Sequence, residues 1–291
     1  MNPIFLKPVL KTLIWGTEQW GISAHANGDD LVTNEEFSGM TLSQLWEKYP
    51  ELFGGKAEGV FPLLTKIIDA KADLSIQVHP DDEYAAKNEN GSLGKTECWY
   101  IMDAEPGTTI VIGHNAKDHS EVETMINQKK WKDFIREIPV HKGDFFFIEP
   151  GTVHAIKGGT VILETQQSSD ITYRVYDYDR LQDGKPRQLH VKQSIDVIKA
   201  PYIQKEPPLD DSKKIHGAKQ LVSCSLFTVW HADVKGSFFF EQTLPFMLCS
   251  VIAGECTFSG KKLIKGDHFI LPAGYGMAEL RGNAELILSS V

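Results

Sequence analysis

The sequence predicts a mainly β protein made of two β-sandwich, jelly-roll-like domains, the first carrying a small helical insertion. Three observations point there. Short apolar or alternating runs recur between Gly, Pro and Asp punctuation; helical signals are few and short; and one strand motif occurs twice.

The helical signals lie in the first half. Thr41 with Gln44 reads as a capping box opening TLSQLWEKY, which Pro50 soon closes, and Asp81 caps a short helix through DEYAAKN to the stop at Asn90-Gly91. Ser120 and Glu123 form another capping box, after which Val122, Met125, Ile126, Phe134, Ile135 and Ile138 recur at helical spacing. This predicts a helix over about 120–137, within an insertion spanning about 115–139.

The remainder reads as strands: TTIVIGH, KGDFFFIEPG, GGTVILETQ, SFFFEQT, FMLCSVIAGE, KKLIKGDHFILPAG and AELILSS. Lys142-Gly143-Asp144-Phe145-Phe146-Phe147-Ile148 is echoed by Lys265-Gly266-Asp267-His268-Phe269-Ile270-Leu271. In both, a Gly-Asp turn feeds an apolar strand that ends at a Pro/Gly bend, as expected of a duplicated sandwich. Residues 203–220 are polar, Pro-containing and aperiodic and read as a linker between a first domain over 1–202 and a second over 221–291.

Composition narrows the function. Hydrophobic residues at 42% and charged ones at 24% fit a folded, water-soluble protein rather than a disordered or fibrous one. Thirty basic residues against 39 acidic ones give a net charge of −9 without any Lys/Arg block, which argues against nucleic acid or an anionic membrane as partner. Four Cys with no CxxC pair suit a reducing compartment, and the N-terminal MNPIFLKPVLKTLIWG offers no signal-peptide core, so a cytoplasmic location is expected.

The candidate chemistry sits in the first half. Strand alternation puts Ser75, Gln77 and His79 on one face, and the same period aligns Lys95, Glu97 and Trp99. Eleven residues past Gly143 comes His154, whereas eleven past Gly266 comes Met277, so one copy alone keeps a possible metal ligand there. Gln77, His79, Glu97 and His154 offer two imidazoles, a carboxylate and an amide, a borderline N/O set suited to Zn and tolerated by Mn, Fe, Co or Ni. Cys98 points to the opposite strand face and reads as a buried thiol.

Only five basic residues are Arg, and three of them fall at 174, 180 and 187. Arg presents a permanent fork suited to phosphate, and period two across Tyr176 and Tyr178 would keep Arg174 and Arg180 on one face.

HxH-type spacing with Gln77 in the first position, then Glu97, then a Gly-Asp strand and His154, resembles the metal pattern of the cupin superfamily. More specifically, LIWG (13–16), SIQVHPDD (75–82), GKTECWYI (94–101), IEPGTVHAI (148–156) and SSDITYRVYDYDR (168–180) are similar to the type I mannose-6-phosphate isomerase family in its short bacterial form. The resemblance implies a Zn enzyme, one ion per chain, interconverting mannose 6-phosphate and fructose 6-phosphate. Gln77, His79, Glu97 and His154 match the metal positions and Arg174 the active-site Arg.

Aldose-ketose isomerisation moves a proton between C1 and C2 through an enediol. It needs a base at the carbons and positive charge at the oxygens. Glu164 and Lys95 are both candidate proton carriers, Glu164 also a candidate to orient a metal-bound His and Lys95 to bind phosphate; Ser75 and Arg180 are expected to contact substrate. Two other classes carry the same residues: a non-catalytic, metal-containing sugar-phosphate sensor, and a metal-dependent oxidase or dioxygenase on the same fold.

Overall fold

The computed structural model describes residues 2–291. Strand far exceeds helix among them, and none of their helices is long and apolar enough to cross a membrane.

Two of the expected helices form where capping placed them. Leu42–Lys48 begins with the Thr41/Gln44 box, and Asp82–Asn88 begins with the Asp81 side chain accepting from the Tyr84 N–H. The third expectation needs correction. Its helix is His119–Asn127, capped by Asp118 rather than Ser120; Lys129 then turns with φ of 54°, and after a short Trp131–Phe134 helix the chain becomes the strand Ile135–Pro139. Ile138 pairs with Ile110 across that ladder, so its burial answers to a sheet, and the helical spacing of the apolar residues was coincidental there.

The chain forms two compact units: residues up to Lys11, Gln19–Ile67 and Pro207–Val291 in one; Thr12–Glu18 and Ile68–Glu206 in the other. Division into consecutive blocks at 202 and 221 therefore gives way to an interleaved arrangement, with the parting point at Glu206/Pro207. Aromatic packing explains the regrouping: Trp46, Phe53 and Phe61 meet Phe246 at ring distances of 5.5–5.9 Å, and Ile4 pairs with Ile270 in a ladder. Within 203–220 lie the 3-10 turn Asp211–Lys213 and the start of the strand Ala218–Ser223.

In the unit holding the C-terminus, two 15-residue strands, Thr228–Gln242 and Gly276–Ser290, pair along their whole length, and Met247–Phe258 pairs on the far side of the second. Their apolar faces, including Trp230, Phe258, Phe269 and Leu286, make one core.

In the other unit, an antiparallel sheet runs in the order Ile135–Pro139, Thr109–His114, His154–Ala155, Ile76–Val78, Tyr173–Tyr176. In a second sheet, Glu97–Ala104 lies between Phe145–Ile148 and Thr160–Gln167. Ile110 and Ile112 from the first sheet, with Ile156 just past its His154–Ala155 strand, share a core with Trp99, Ile101, Ile148 and Ile162 from the second. The reverse face of the first sheet, with Ile76, Val78, Val111 and Tyr173, packs on Val122, Ile126 and Phe134 of the insertion. Alternation then obliges Gln77 to face away from the helices.

Candidate active site

Residues directly opposite one another in a ladder share a sheet face. His154 stands opposite Gln77, and Gln77 stands opposite Arg174, so the three form one row across three strands, with His79 two residues further along. On the second sheet Glu97 stands opposite Gln166, and Trp99 opposite Glu164. Local chain geometry sets these positions. The Gly151 N–H donates to the His79 carbonyl, docking the Pro-Gly turn before His154. A Cβ on Gly94 would lie 2.4 Å from the Asp81 carbonyl carbon, so only Gly lets the Lys95 N–H reach the Pro80 carbonyl at 3.0 Å.

Three side chains converge in the interior. His79 Nε2 and His154 Nε2 are 3.1 Å apart, and Glu97 offers Oε2 at 3.5 Å to the first and Oε1 at 3.4 Å to the second. Each ring's Nδ1 faces a backbone carbonyl, that of Ile171 at 2.8 Å and that of Thr152 at 2.9 Å. Carbonyls only accept, so both Nδ1 atoms carry the proton and both Nε2 atoms present lone pairs to each other. Burial pushes the His154 pKa down to about 4, which keeps the ring neutral. Two lone pairs and a carboxylate facing one another call for a cation between them. Ligands at the Zn–N and Zn–O lengths of a tetrahedral site stand about 3.3–3.4 Å apart, close to the spacing found. The residues present fit a metal ion.

Beside this group lies a buried charge network. Lys95 Nζ is 2.8 Å from Glu97 Oε2 and 3.6 Å from Glu164 Oε1, and Trp99 Nε1–H donates to Glu164 Oε2 at 3.2 Å. Burial alone would lower the Lys95 pKa, but the Glu164 and Glu97 carboxylates outweigh it and hold the ammonium above its ordinary range. Arg174 keeps its Nε without an acceptor among the described residues, and burial, with Arg187 nearby, lowers its pKa. Ser75 is buried just ahead of the strand Ile76–Val78.

Arg180 does not join this group. A register shift between Arg174 and Tyr176, then left-handed backbone at Tyr178 and Asp179, break the period of two on which a shared face depended. Its guanidinium instead bonds Asp177 and the Asp73 carbonyl, and Arg187 clamps the same Asp177 carboxylate at 2.6 and 2.7 Å. Sequence reasoning passed over Gln166, although GGTVILETQQ alternates Ile162, Glu164 and Gln166 on one face. A further His231, Asp233 and Glu285 group gathers on the other unit, partly exposed.

A cupin sandwich that gathers two histidines and a glutamate around one point, with a buried lysine and an arginine beside them, has the make-up of a metal-centred enzyme for an anionic substrate. The comparisons narrow the class. Residues 7–102 match the phosphomannose isomerase type I catalytic domain and residues 217–291 the mannose-6-phosphate isomerase cupin domain. The chain is 45% identical to mannose-6-phosphate isomerase ManA of Bacillus subtilis, over 99% of this chain and 98% of that one. It is 43% identical to the mannose-6-phosphate isomerase of Streptococcus mutans, over 99% and 98%. A crystal structure of the Bacillus subtilis mannose 6-phosphate isomerase superposes with a TM-score of 0.94 at 42% identity, covering all of both chains. The chain belongs to the type I phosphomannose isomerase family.

Proposed function

We propose that this protein interconverts mannose 6-phosphate and fructose 6-phosphate, using one Zn ion per chain held by Gln77, His79, Glu97 and His154. The observation that carries the metal reading is the pair of Nε2 lone pairs 3.1 Å apart with Glu97 closing the third side. When bound, the ion supplies a Lewis acid that draws electron density from the sugar oxygens at C1 and C2.

The chain's own groups do the rest. Lys95, held as an ammonium by two carboxylates, places a fixed positive charge beside the reacting oxygens and has no lone pair with which to act as a base. Proton transfer falls to Glu164: one carboxylate oxygen takes the proton from C2 of the aldose, leaving an enediolate, and returns it to C1, while the C2 hydroxyl proton passes to the C1 oxygen, so that the ketose forms with no net gain or loss of protons. Trp99 Nε1–H fixes that carboxylate's orientation. Arg174, in the row beside Gln77, steadies the negative charge that builds on the enediol oxygens. Arg180 and Arg187 support the turn through Asp177. With none of Cys98, Cys224, Cys249 and Cys256 in a disulfide, the enzyme is suited to the cytoplasm.

The test is a coupled assay for fructose 6-phosphate on metal-stripped protein with and without added Zn, run alongside Glu164→Gln. Zn-dependent turnover is expected, with kcat in the variant lower by about 10²–10⁴-fold at unchanged metal content. Failure to turn over with any divalent ion, despite tight binding of one, would leave the sensing reading in its place. Full activity in Glu164→Gln would remove this residue from proton transfer.

A further inference from the structure

Gln166 is the group on this face that the proposed mechanism leaves unused. It lies in the strand Thr160–Gln167, opposite Glu97, so the two side chains point to the same side of the sheet with Cβ atoms about 4.5–5.5 Å apart. Its side chain is fully buried. Nε2 donates to the carbonyl of Gln167 at 2.9 Å and to that of Ser169. Because both partners can only accept, the amide cannot be turned round, and Oε1 is fixed as the free end. That oxygen receives no hydrogen bond among the described residues, although a buried acceptor without a donor is rare and unfavourable.

A fixed acceptor selects its partner's chemistry. It repels phosphate oxygens, as does Glu97 beside it, and it takes an O–H or N–H. A sugar phosphate brings O–H donors only, and in the reading above the C1 and C2 oxygens already have their partners. We propose, resting on that reading, that Gln166 is a specificity residue whose Oε1 accepts a hydrogen bond from the C3 or C4 hydroxyl of the bound sugar. It leaves the reacting carbons to Glu164 and the charged groups.

The experiment measures kcat/KM by NMR for mannose 6-phosphate and its 3-deoxy and 4-deoxy analogues, with the wild-type holoenzyme and with Gln166→Met, which keeps length but removes the acceptor. Metal content and Tm are recorded for both. In the wild type, one analogue should be turned over roughly tenfold or more slowly than the parent sugar, because a buried acceptor left unpaired penalises the substrate that lacks the donor. In Gln166→Met that difference should shrink below about threefold with metal content intact, the signature of two partners in one interaction.

Equal slowing of all three substrates by the variant, with a lower Tm, would overturn the proposal and assign Gln166 to holding the Ser169 loop. Should the variant not fold, the wild type still decides: three substrates turned over within about threefold of one another would overturn it. Absence of turnover of mannose 6-phosphate itself by the wild type would instead sink the isomerase reading.

Discussion

The strand after Gly143 and the strand after Gly266 are entered by the same turn, bond for bond. Gly143 and Gly266 take φ of 93° and 92°; their N–H groups reach the Ile101 and Val251 carbonyls, both at 2.9 Å; and Asp144 and Asp267 each receive a backbone N–H on Oδ2 at 2.8 Å, from His141 and Ile264. The neighbouring ladders agree too. Ile148 opposes Glu97 as Leu271 opposes Met247, Glu164 opposes Trp99 as Leu288 opposes Cys249, and the same register shift follows Val161 and Glu285. One copy therefore holds Glu97 and Glu164 where the other holds Met247 and Leu288, while Met277, eleven residues past its Gly, is 66% exposed. Turn, ladder and bulge are properties of the sandwich, and chemistry is added to it by a few interior side chains at fixed register positions.

The sharpest way to break this comparison is to remove the ligand from one copy and its counterpart from the other. His154→Ala should take metal from about one equivalent per chain to a trace and lower turnover by at least about 10³-fold, since a site of four protein ligands loses an imidazole donor and its geometry together. Met277→Ala should leave both within about twofold. Metal analysis on the two variants checks this directly. An equivalent of metal surviving in His154→Ala would place the ion elsewhere, with His231, Asp233 and Glu285 as the remaining group, and the two halves would trade roles.

A smaller effect separates the two arginines that the sequence puts together. Arg174→Ala should lower kcat/KM by about 10²–10³-fold with metal retained, as loss of a preorganised charge does. Arg180→Ala should leave kcat within a few-fold and lower Tm, because it frees one of the two guanidinium partners of the buried Asp177 carboxylate. A thermal melt beside the kinetics distinguishes them. Equal kinetic losses would return Arg180 to the substrate.

Residues that obey a strict local rule were legible from the sequence. The Thr41 and Asp81 caps, the Gln77/His79 face, the Lys95/Glu97/Trp99 alignment and the Gly-Asp echo all follow from a period of two or from an obligatory turn. What escaped depended on contacts far apart in the chain. Ile138 fits a helix and a strand equally well until Ile110 lies beside it, and Trp46 gives no sign that Phe246 completes its cluster. Arg180 looked like a strand residue because left-handed backbone at Tyr178 and Asp179, neither a Gly, leaves no mark in sequence. Gln166 was visible in the alternation, but the orphaned Oε1 that distinguishes it comes from carbonyls three-dimensionally placed around Nε2.

The weakest expected difference concerns a buried histidine of the second copy, His268. His268 stands opposite Ser250, where the first copy has Phe145 opposite Tyr100, and its Nδ1 lies 2.8 Å from the Ser250 hydroxyl. A Cβ on Gly21 would fall 2.2 Å from Nε2, so the ring is sealed in by a position that only Gly can occupy, and burial pushes its pKa down to about 3. Below the unfolded value of about 6.5 the unfolded chain binds a proton that the folded one refuses, so the stability this ring allows is complete above that pH and falls as pH drops towards 3. Between pH 7 and pH 5 this one group should remove about 2 kcal/mol. Urea titrations at both pH values check it: His268→Asn should lose about 2 kcal/mol less than the wild type over that interval. An identical loss in the two proteins would mean that the ring takes up its proton without unfolding, and that in this copy the histidine is packed where water still reaches it.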